Sequence, residues 1–135
     1  MDKDTKLEII IVDDSKDDHF FIKEALRDFK NISFRSFYDG EEFLRYINDR
    51  KGDLYPKYPD IVILDINMPK LTGFEVFEKV KKHELSWSVK FFILTTGLSD
   101  ADKENSRRLE LDYYYKPFSV KKYNDLLQEI IGGLL

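Results

Sequence analysis

The sequence predicts an α/β domain in which a doubly wound, five-stranded parallel sheet carries helices on both faces. Short apolar runs alternate five times with longer amphipathic stretches, as strands and helices do in βαβ units. Three of these runs are almost purely apolar, which is typical of parallel strands buried on both faces. The chain has 135 residues, 42% of them hydrophobic, which suffices for one compact domain.

Five apolar runs are predicted as strands. They are Leu7–Val12, Ile32–Phe37, Ile61–Leu64, Phe91–Leu94 and the weaker Tyr113–Tyr115. The first, third and fourth contain almost no polar residues. The aromatic residues of the last run fit either packing within the sheet or a partner-binding face, and the sequence leaves both readings open.

The segments between these strands have apolar residues at helical spacing. The predicted helices are Asp17–Phe29, Glu41–Asn48, Phe74–His83 and Val120–Ile131. Ser119 is the expected N-cap of the last helix, and Ser15 and Asp39 are candidates for earlier ones. The stretch Ser99–Leu111 is mostly charged and polar, so we predict a poorly anchored helix that moves easily.

Composition excludes several classes of function. With 22 basic and 26 acidic residues, the chain has a net charge of −4, which disfavours nucleic acid as a direct partner. It has no cysteine for a disulfide or a thiolate, and no apolar run approaches the ~20 residues of a membrane span. These features favour a cytoplasmic location and no membrane partner.

One domain accounts for the whole chain. We expect it to span residues 7–131, with short tails at 1–6 and 132–135 and a long surface loop from Asn48 to Pro59. The chain ends just past the last predicted helix, so no output domain is expected and its effect would pass through another protein.

Polar side chains follow the predicted strands where the strands end. Asp13 and Asp14 follow the first strand, Asp65 the third, Thr95 the fourth and Lys116 the fifth. The carboxyl ends of parallel strands meet at one edge of the sheet, where ligands bind. Three carboxylates placed together repel one another unless a cation or protons compensate, and such an oxygen-rich pocket suits Mg²⁺. A carboxylate beside that ion can attack phosphorus and form an acyl phosphate, while the lysine stabilises the transferring charge.

Four motifs in chain order resemble the receiver domains of two-component response regulators, including the chemotaxis receiver protein. They are Val12-Asp13-Asp14-Ser15, Leu64-Asp65-Ile66-Asn67-Met68-Pro69 with Gly73 further on, Leu94-Thr95-Thr96 and Tyr115-Lys116-Pro117-Phe118. The resemblance extends from about Leu7 to Ile131. It implies a flavodoxin-like (β/α)5 fold with strand order 2-1-3-4-5.

The resemblance also implies the chemistry of the site. Asp65 is the expected phosphoacceptor. Asp13, Asp14 and Asp65 are the expected ligands of Mg²⁺ or Mn²⁺, together with the backbone carbonyl of Asn67. The expected product is an aspartyl phosphate, formed without turnover of any external substrate.

A second set of implied residues concerns the switch. Thr95 is expected to supply the switch hydroxyl, Lys116 to contact the phosphoryl group, and Tyr113 to rotate inward. The bond before Pro117 is a candidate cis peptide bond. Gly97 departs from the family pattern because it offers no side chain near the phosphate, which leaves the lifetime of the acyl phosphate open.

The implied partners are proteins. A sensor histidine kinase or a histidine-phosphotransfer protein is expected to donate the phosphoryl group, and a downstream protein to read the changed surface. Homodimerisation through the fourth helix, fifth strand and fifth helix is a further hypothesis, which the terminal Leu134-Leu135 pair and Tyr113–Tyr115 motivate. Histidines His19 and His83 are expected on helix surfaces, away from the acidic edge.

Other functions remain as alternatives at this stage. An aspartyl-phosphate phosphatase of the haloacid-dehalogenase type requires Asp-x-Asp at the nucleophile, and here the second position is Asn67. A flavodoxin-like cofactor module requires a phosphate loop rich in Ser, Thr and Gly after the first strand, and here that turn begins with Asp13 and Asp14. A receiver that acts only as a docking surface is disfavoured by the intact acids.

Overall fold

The computed structural model describes residues 6–50, 57–82 and 89–133. The strands are β1 (Leu7–Val12), β2 (Ile32–Phe37), β3 (Ile61–Leu64), β4 (Lys90–Thr95) and β5 (Asp112–Tyr115). The helices are α1 (Lys16–Ala25), α2 (Gly40–Asn48), α3 (Gly73–Lys81), α4 (Asp100–Arg108) and α5 (Val120–Gly132), and a 3₁₀ turn at Leu26–Asp28 follows α1. The expectations for residues 51–56 of the Asn48–Pro59 loop, for His83 and for the Leu134-Leu135 pair lie outside the described residues.

All five strands are parallel and lie in the order β2-β1-β3-β4-β5, which confirms the predicted doubly wound sheet. The central strand β1 pairs with β2 on one side and β3 on the other. The order of the strands reverses direction at β1 and β3, so the carboxyl ends of these two strands form the topological switch point, where ligands bind in such sheets.

Successive residues of β1 face opposite sides of the sheet, which is the geometry of an extended strand. Ile10 belongs to the core beneath α2 and α3, whereas Ile9 and Ile11 belong to the core beneath α1 and α5. All three side chains are fully buried. The almost purely apolar runs of β1, β3 and β4 therefore reflect a sheet covered on both faces.

Side-chain caps fix the starts of the helices. The predicted N-caps Ser15, Asp39 and Ser119 each accept a hydrogen bond from a backbone N–H in the first turn. Thr72 and Ser99, which the sequence analysis did not single out, form capping boxes at α3 and α4.

Helix α4 is weakly anchored, as its composition predicted. Ser106 is its only buried residue, whereas α3 buries five. The apolar contacts of this region come instead from Leu109 and Leu111, which follow the helix and pack into the core beneath α2 and α3. Few buried side chains therefore hold α4 on the sheet.

No helix in the described ranges is long and apolar enough to span a lipid bilayer.

Candidate functional site

The three predicted acids come together at the carboxyl ends of β1 and β3. Carboxylate oxygens of Asp13, Asp14 and Asp65 all lie within 4.8 Å of one another. The backbone holds two of these residues in place, since the Asp65 N–H donates to Val12 at 3.0 Å and the Asp13 N–H donates to Phe37 at 3.0 Å. Asp13 is 1% exposed and Asp65 is 6% exposed, whereas Asp14 faces solvent.

Burial and mutual repulsion disfavour the ionised state of this cluster. Burial, followed by the negative charge of Asp13, raises the pKa of Asp65 to about 7, although Lys116 opposes the change. Burial also raises the pKa of Asp13, against hydrogen bonds from the Lys116 ammonium and the Ser15 N–H. The site therefore has a deficit of positive charge.

That deficit fits a divalent cation. Three carboxylates that can share one ion offer the hard oxygen ligands preferred by Mg²⁺ and Mn²⁺. Asn67 lies two residues beyond Asp65, on the loop that leaves β3. The donor set at this edge therefore suits the predicted metal, and the carbonyl of Asn67 remains the predicted additional ligand.

Lys116, which follows β5, supplies the positive charge present in the protein itself. Its Nζ lies 2.8 Å from Asp13 Oδ2 and 3.7 Å from Asp65 Oδ1, and its side chain is 9% exposed. Although burial lowers the pKa of Lys116, its hydrogen bonds to Asp13 and Asp18 outweigh burial and raise the pKa above the usual range. The ammonium therefore stays charged at neutral pH.

Asp18 is a member of the site that the sequence analysis missed. Its Oδ2 accepts a hydrogen bond from Lys116 Nζ at 2.9 Å, and its Oδ1 accepts one from the Tyr123 hydroxyl at 2.6 Å. Asp18 is the third residue of α1, after the N-cap Ser15, so its charge also suits the N-terminus of the helix. The acid-rich turn was a signal, but only the packing of α5 against α1 shows which acid reaches Lys116.

Thr95 ends β4 and is completely buried. Its hydroxyl donates a hydrogen bond to the carbonyl of Gly97 at 3.2 Å. A methyl group added at Gly97 would meet no atom within 4 Å, so the loop after β4 is open at this point. The hydroxyl is thus held by its own loop.

Gly73 allows the β3–α3 loop to pass against the backbone of Asp65. A Cβ atom at this position would lie 2.2 Å from the Asp65 carbonyl oxygen, which no real side chain tolerates. The Gly73 N–H donates to Ile66 at 3.1 Å and closes the loop. Gly73 therefore helps to fix the backbone of Asp65.

Two sequence-based expectations are wrong. The bond before Pro117 is trans, and the described residues contain no cis peptide bond. Trans is the favoured form of such bonds. The Lys116 N–H donates to the Thr95 carbonyl at 2.8 Å and extends the pairing of β5 with β4. His19 is 4% exposed rather than on the helix surface. Its ring packs 4.4 Å from that of Tyr38, because α1 turns this position toward the loop after β2.

The buried His19 also contacts the acidic edge. Its Nε2 lies 2.6 Å from the backbone oxygen of Asp13. A carbonyl oxygen only accepts, so Nε2 carries the proton and donates it.

Tyr113 on β5 is 39% exposed, and its ring lies against that of Tyr115. The inward rotation of Tyr113 stays a prediction.

Comparison with known proteins agrees with this geometry. Residues 9–128 match the response regulator receiver domain family. The probable transcriptional regulator ycf27 of Guillardia theta is 32% identical over 138 residues, an alignment that covers 97% of this chain. The chain spans only 48% of the length of that relative.

Two solved structures resemble the chain over nearly its whole length. The phosphorylated cyanobacterial phytochrome response regulator RcpA has a TM-score of 0.81 at 25% identity, covering 93% of this chain and 91% of that one. The Mn(2+)-bound form of response regulator Rcp1 has a TM-score of 0.76 at 25% identity, covering 91% of this chain and 90% of that one. The chain therefore belongs to the receiver domain family of response regulators, the phosphorylation-dependent switches of two-component signalling.

Proposed function

We propose that Asp65 is the phosphoacceptor of this receiver domain. One carboxylate oxygen of Asp65 attacks the phosphorus of a phosphohistidine donor and forms a new O–P bond. The P–N bond of the donor breaks, and its electron pair leaves with the imidazole nitrogen. The observation that carries the proposal is the convergence of Asp65, two further carboxylates and the Lys116 ammonium at one end of the sheet.

A divalent cation fits beside the phosphoacceptor. Asp13, Asp14 and Asp65 would hold Mg²⁺ or Mn²⁺, with the carbonyl of Asn67 as a further ligand. When bound, the ion neutralises charge on the phosphoryl oxygens and on the carboxylates. Support comes from the spacing of the carboxylate oxygens and from the Mn(2+)-bound form of Rcp1, which is similar over most of its length.

Lys116 and Thr95 are the groups available to a phosphoryl group on Asp65. The ammonium is 3.7 Å from Asp65 Oδ1, so a phosphoryl oxygen attached there comes within its reach. Within the described ranges, the Thr95 hydroxyl makes a hydrogen bond to the carbonyl of Gly97 alone. Its movement toward the new anion would shift the adjoining loop and the weakly anchored α4, with Tyr113 beside it.

The proposed partners follow from this chemistry. A sensor histidine kinase or a histidine-phosphotransfer protein supplies the phosphoryl group, and a downstream protein reads the surface of α4, β5 and α5. Homodimerisation through the same surface and a cytoplasmic location remain predictions. The chain acts as a switch that is itself modified, rather than as an enzyme on an external substrate.

The decisive experiment is phosphorylation by acetyl phosphate, a small phosphodonor, with and without Mg²⁺. We expect the parent to gain one phosphoryl group, stable to acid and labile to base, only when the ion is present. Asp65→Asn should gain none, and Asp125→Asn, which changes an exposed carboxylate on α5, should behave as the parent. Equal labelling of parent and Asp65→Asn would place the phosphoacceptor elsewhere; no labelling of the parent would favour a receiver that acts only by docking.

A further inference from the structure

The Lys116 ammonium has three N–H donors, and the structure accounts for two of them. Asp13 Oδ2 at 2.8 Å and Asp18 Oδ2 at 2.9 Å are within hydrogen-bond distance of Nζ. Asp65 Oδ1, at 3.7 Å, is within ion-pair distance but too far for a good hydrogen bond. Among the described residues, one N–H of Lys116 therefore has no close acceptor, and an oxygen of a phosphoryl group on Asp65 would come within its reach.

Of the two acceptors that hold the ammonium, only Asp18 lies outside the predicted metal site. The carboxylates that can share an ion, within the described part of the chain, are Asp13, Asp14 and Asp65. An ion held there would draw on the oxygens of Asp13 and would weaken the hydrogen bond from Lys116 to Asp13. Asp18 keeps its carboxylate available to the ammonium whether or not the ion is present.

Asp18 is itself held firmly. Its second oxygen accepts the Tyr123 hydroxyl at 2.6 Å, and the Tyr123 side chain is fully buried between α5 and the sheet. Both carboxylate oxygens are thus engaged, and the carboxylate cannot rotate without breaking a short hydrogen bond. Hydrogen bonds from Tyr123, Lys116 and Ser15 lower the pKa of Asp18 despite its burial, so it stays ionised at neutral pH.

We propose that Asp18 is a positioning residue for phosphoryl transfer: with the Tyr123 hydroxyl it holds the Lys116 ammonium beside Asp65, with one N–H left for a phosphoryl oxygen. The inference rests on the proposed phosphorylation of Asp65. Asp18 touches neither the phosphoryl group nor the ion, and acts only through Lys116. Precise placement of a charge is what lowers the barrier in phosphoryl transfer, because the protein contributes mainly position and electrostatics.

A plainer role for Asp18 also exists. An acid in the first turn of α1 stabilises the helix, and its bond to Tyr123 joins α1 to α5. Asp17 provides the matched control, since it lies in the same first turn and is exposed to solvent. Asp17→Asn and Asp18→Asn remove the same charge from the same end of the helix, but only the second removes an acceptor of Lys116.

The test compares rates of phosphorylation by acetyl phosphate at saturating Mg²⁺. We expect Asp18→Asn to lower the rate constant about tenfold, the size of effect that follows from losing one charge-assisted hydrogen bond. Asp17→Asn should stay within about twofold of the parent. The dissociation constant of Mg²⁺, measured by calorimetry, should change less than about twofold in both variants, because neither residue is a proposed ligand.

A double-mutant cycle separates positioning from folding. Lys116→Met keeps the apolar stem and removes the donors; in that background Asp18→Asn should change the rate constant by less than about twofold. An equal loss in both backgrounds would mean that Asp18 acts through the fold, and would overturn the proposal. A parent that is not labelled at all would instead refute the proposed function, so the two failures are distinguishable.

Two further measurements keep the proposal testable if Asp18→Asn folds poorly or Lys116→Met is too slow to measure. Tyr123→Phe keeps the ring and removes only the hydroxyl, and should lower the rate constant about threefold. The ¹⁵N NMR signal of the Lys116 ammonium should be sharp in the parent and broadened by water exchange in Tyr123→Phe. An unchanged rate together with an unchanged ammonium signal would refute the assignment.

Discussion

Replacing Asp65 by asparagine should stabilise the metal-free protein at neutral and alkaline pH. The parent must keep a buried carboxylate ionised beside Asp13; burial first, and then repulsion by Asp13, raise the pKa of Asp65 to about 7. Asparagine has nearly the same shape and carries no charge. The residue that the switch needs most is therefore predicted to oppose folding.

The magnitude follows from linkage. The pKa of Asp65 is 3.8 without its surroundings and about 7 in the folded protein, and about 1.4 kcal/mol per pKa unit gives an upper bound of about 4 kcal/mol. Between pH 4 and pH 7 the folded state retains a proton that the unfolded state has lost, so the stability of the parent falls as pH rises. At pH 4 the two proteins should be nearly equal in stability; at pH 8 the variant should be more stable by roughly 2 to 4 kcal/mol.

Urea denaturation in EDTA at a series of pH values measures this difference directly. Asp125→Asn, an exposed carboxylate on α5, serves as the control and should follow the parent at every pH. Mg²⁺ at 100 times its dissociation constant should stabilise the parent by about 2.7 kcal/mol and the Asp65→Asn variant by less. Superimposable curves for parent and variant at pH 8 without metal would refute the argument from burial and repulsion.

Three further substitutions test the packing of the β3–α3 loop and the stability of α4. Gly73→Ala should lower the free energy of unfolding by about 1 to 3 kcal/mol, because its Cβ would collide with the Asp65 carbonyl; Gly132→Ala, where the added methyl meets nothing, should not. Ser106→Ala should raise the free energy of unfolding by about 1 kcal/mol in urea titrations, because the buried Ser106 hydroxyl has no hydrogen-bond partner among the described residues. Ser99→Ala should cost about 1 kcal/mol and speed amide hydrogen exchange in α4, since the capping box is lost; unchanged exchange would contradict the role given to the cap.

The fold was predictable because its sequence signals are local and repeated. Residues 9–12 of β1 are fully buried, and burial on both sheet faces leaves no position for a polar residue there. The acids at the ends of β1 and β3 were predictable for a related reason, because parallel strands bring their carboxyl ends to the same edge. Both features follow from the sequence itself: a continuous apolar run indicates a buried strand, and the residue after a parallel strand lies at the carboxyl edge of the sheet.

Other features depend on how helices rotate against the sheet, and local patterns do not record this. Asp18 and Asp17 are neighbours in one acidic turn, yet only Asp18 faces Lys116, because α5 places Tyr123 against it. His19 looked like a surface residue for the same reason, although its ring is buried beside the acidic edge. Both misjudgements concern α1, whose amphipathic stripe shows which side is apolar but not which polar residue the neighbouring loops cover.

The electrostatics of the site explain how one small anion can operate the switch. Asp13 and Asp65 are buried with a single ammonium between them, so the metal-free protein holds more negative than positive charge at this edge. A divalent cation would offset this negative charge, and a phosphoryl group on Asp65 would then introduce new acceptors for donors already in place. The Lys116 ammonium needs little movement because Asp18 holds it, whereas the Thr95 hydroxyl must leave the carbonyl of Gly97. The conformational change is therefore expected on the β4–α4 side, where few buried side chains resist it, while the α1–α5 side stays fixed.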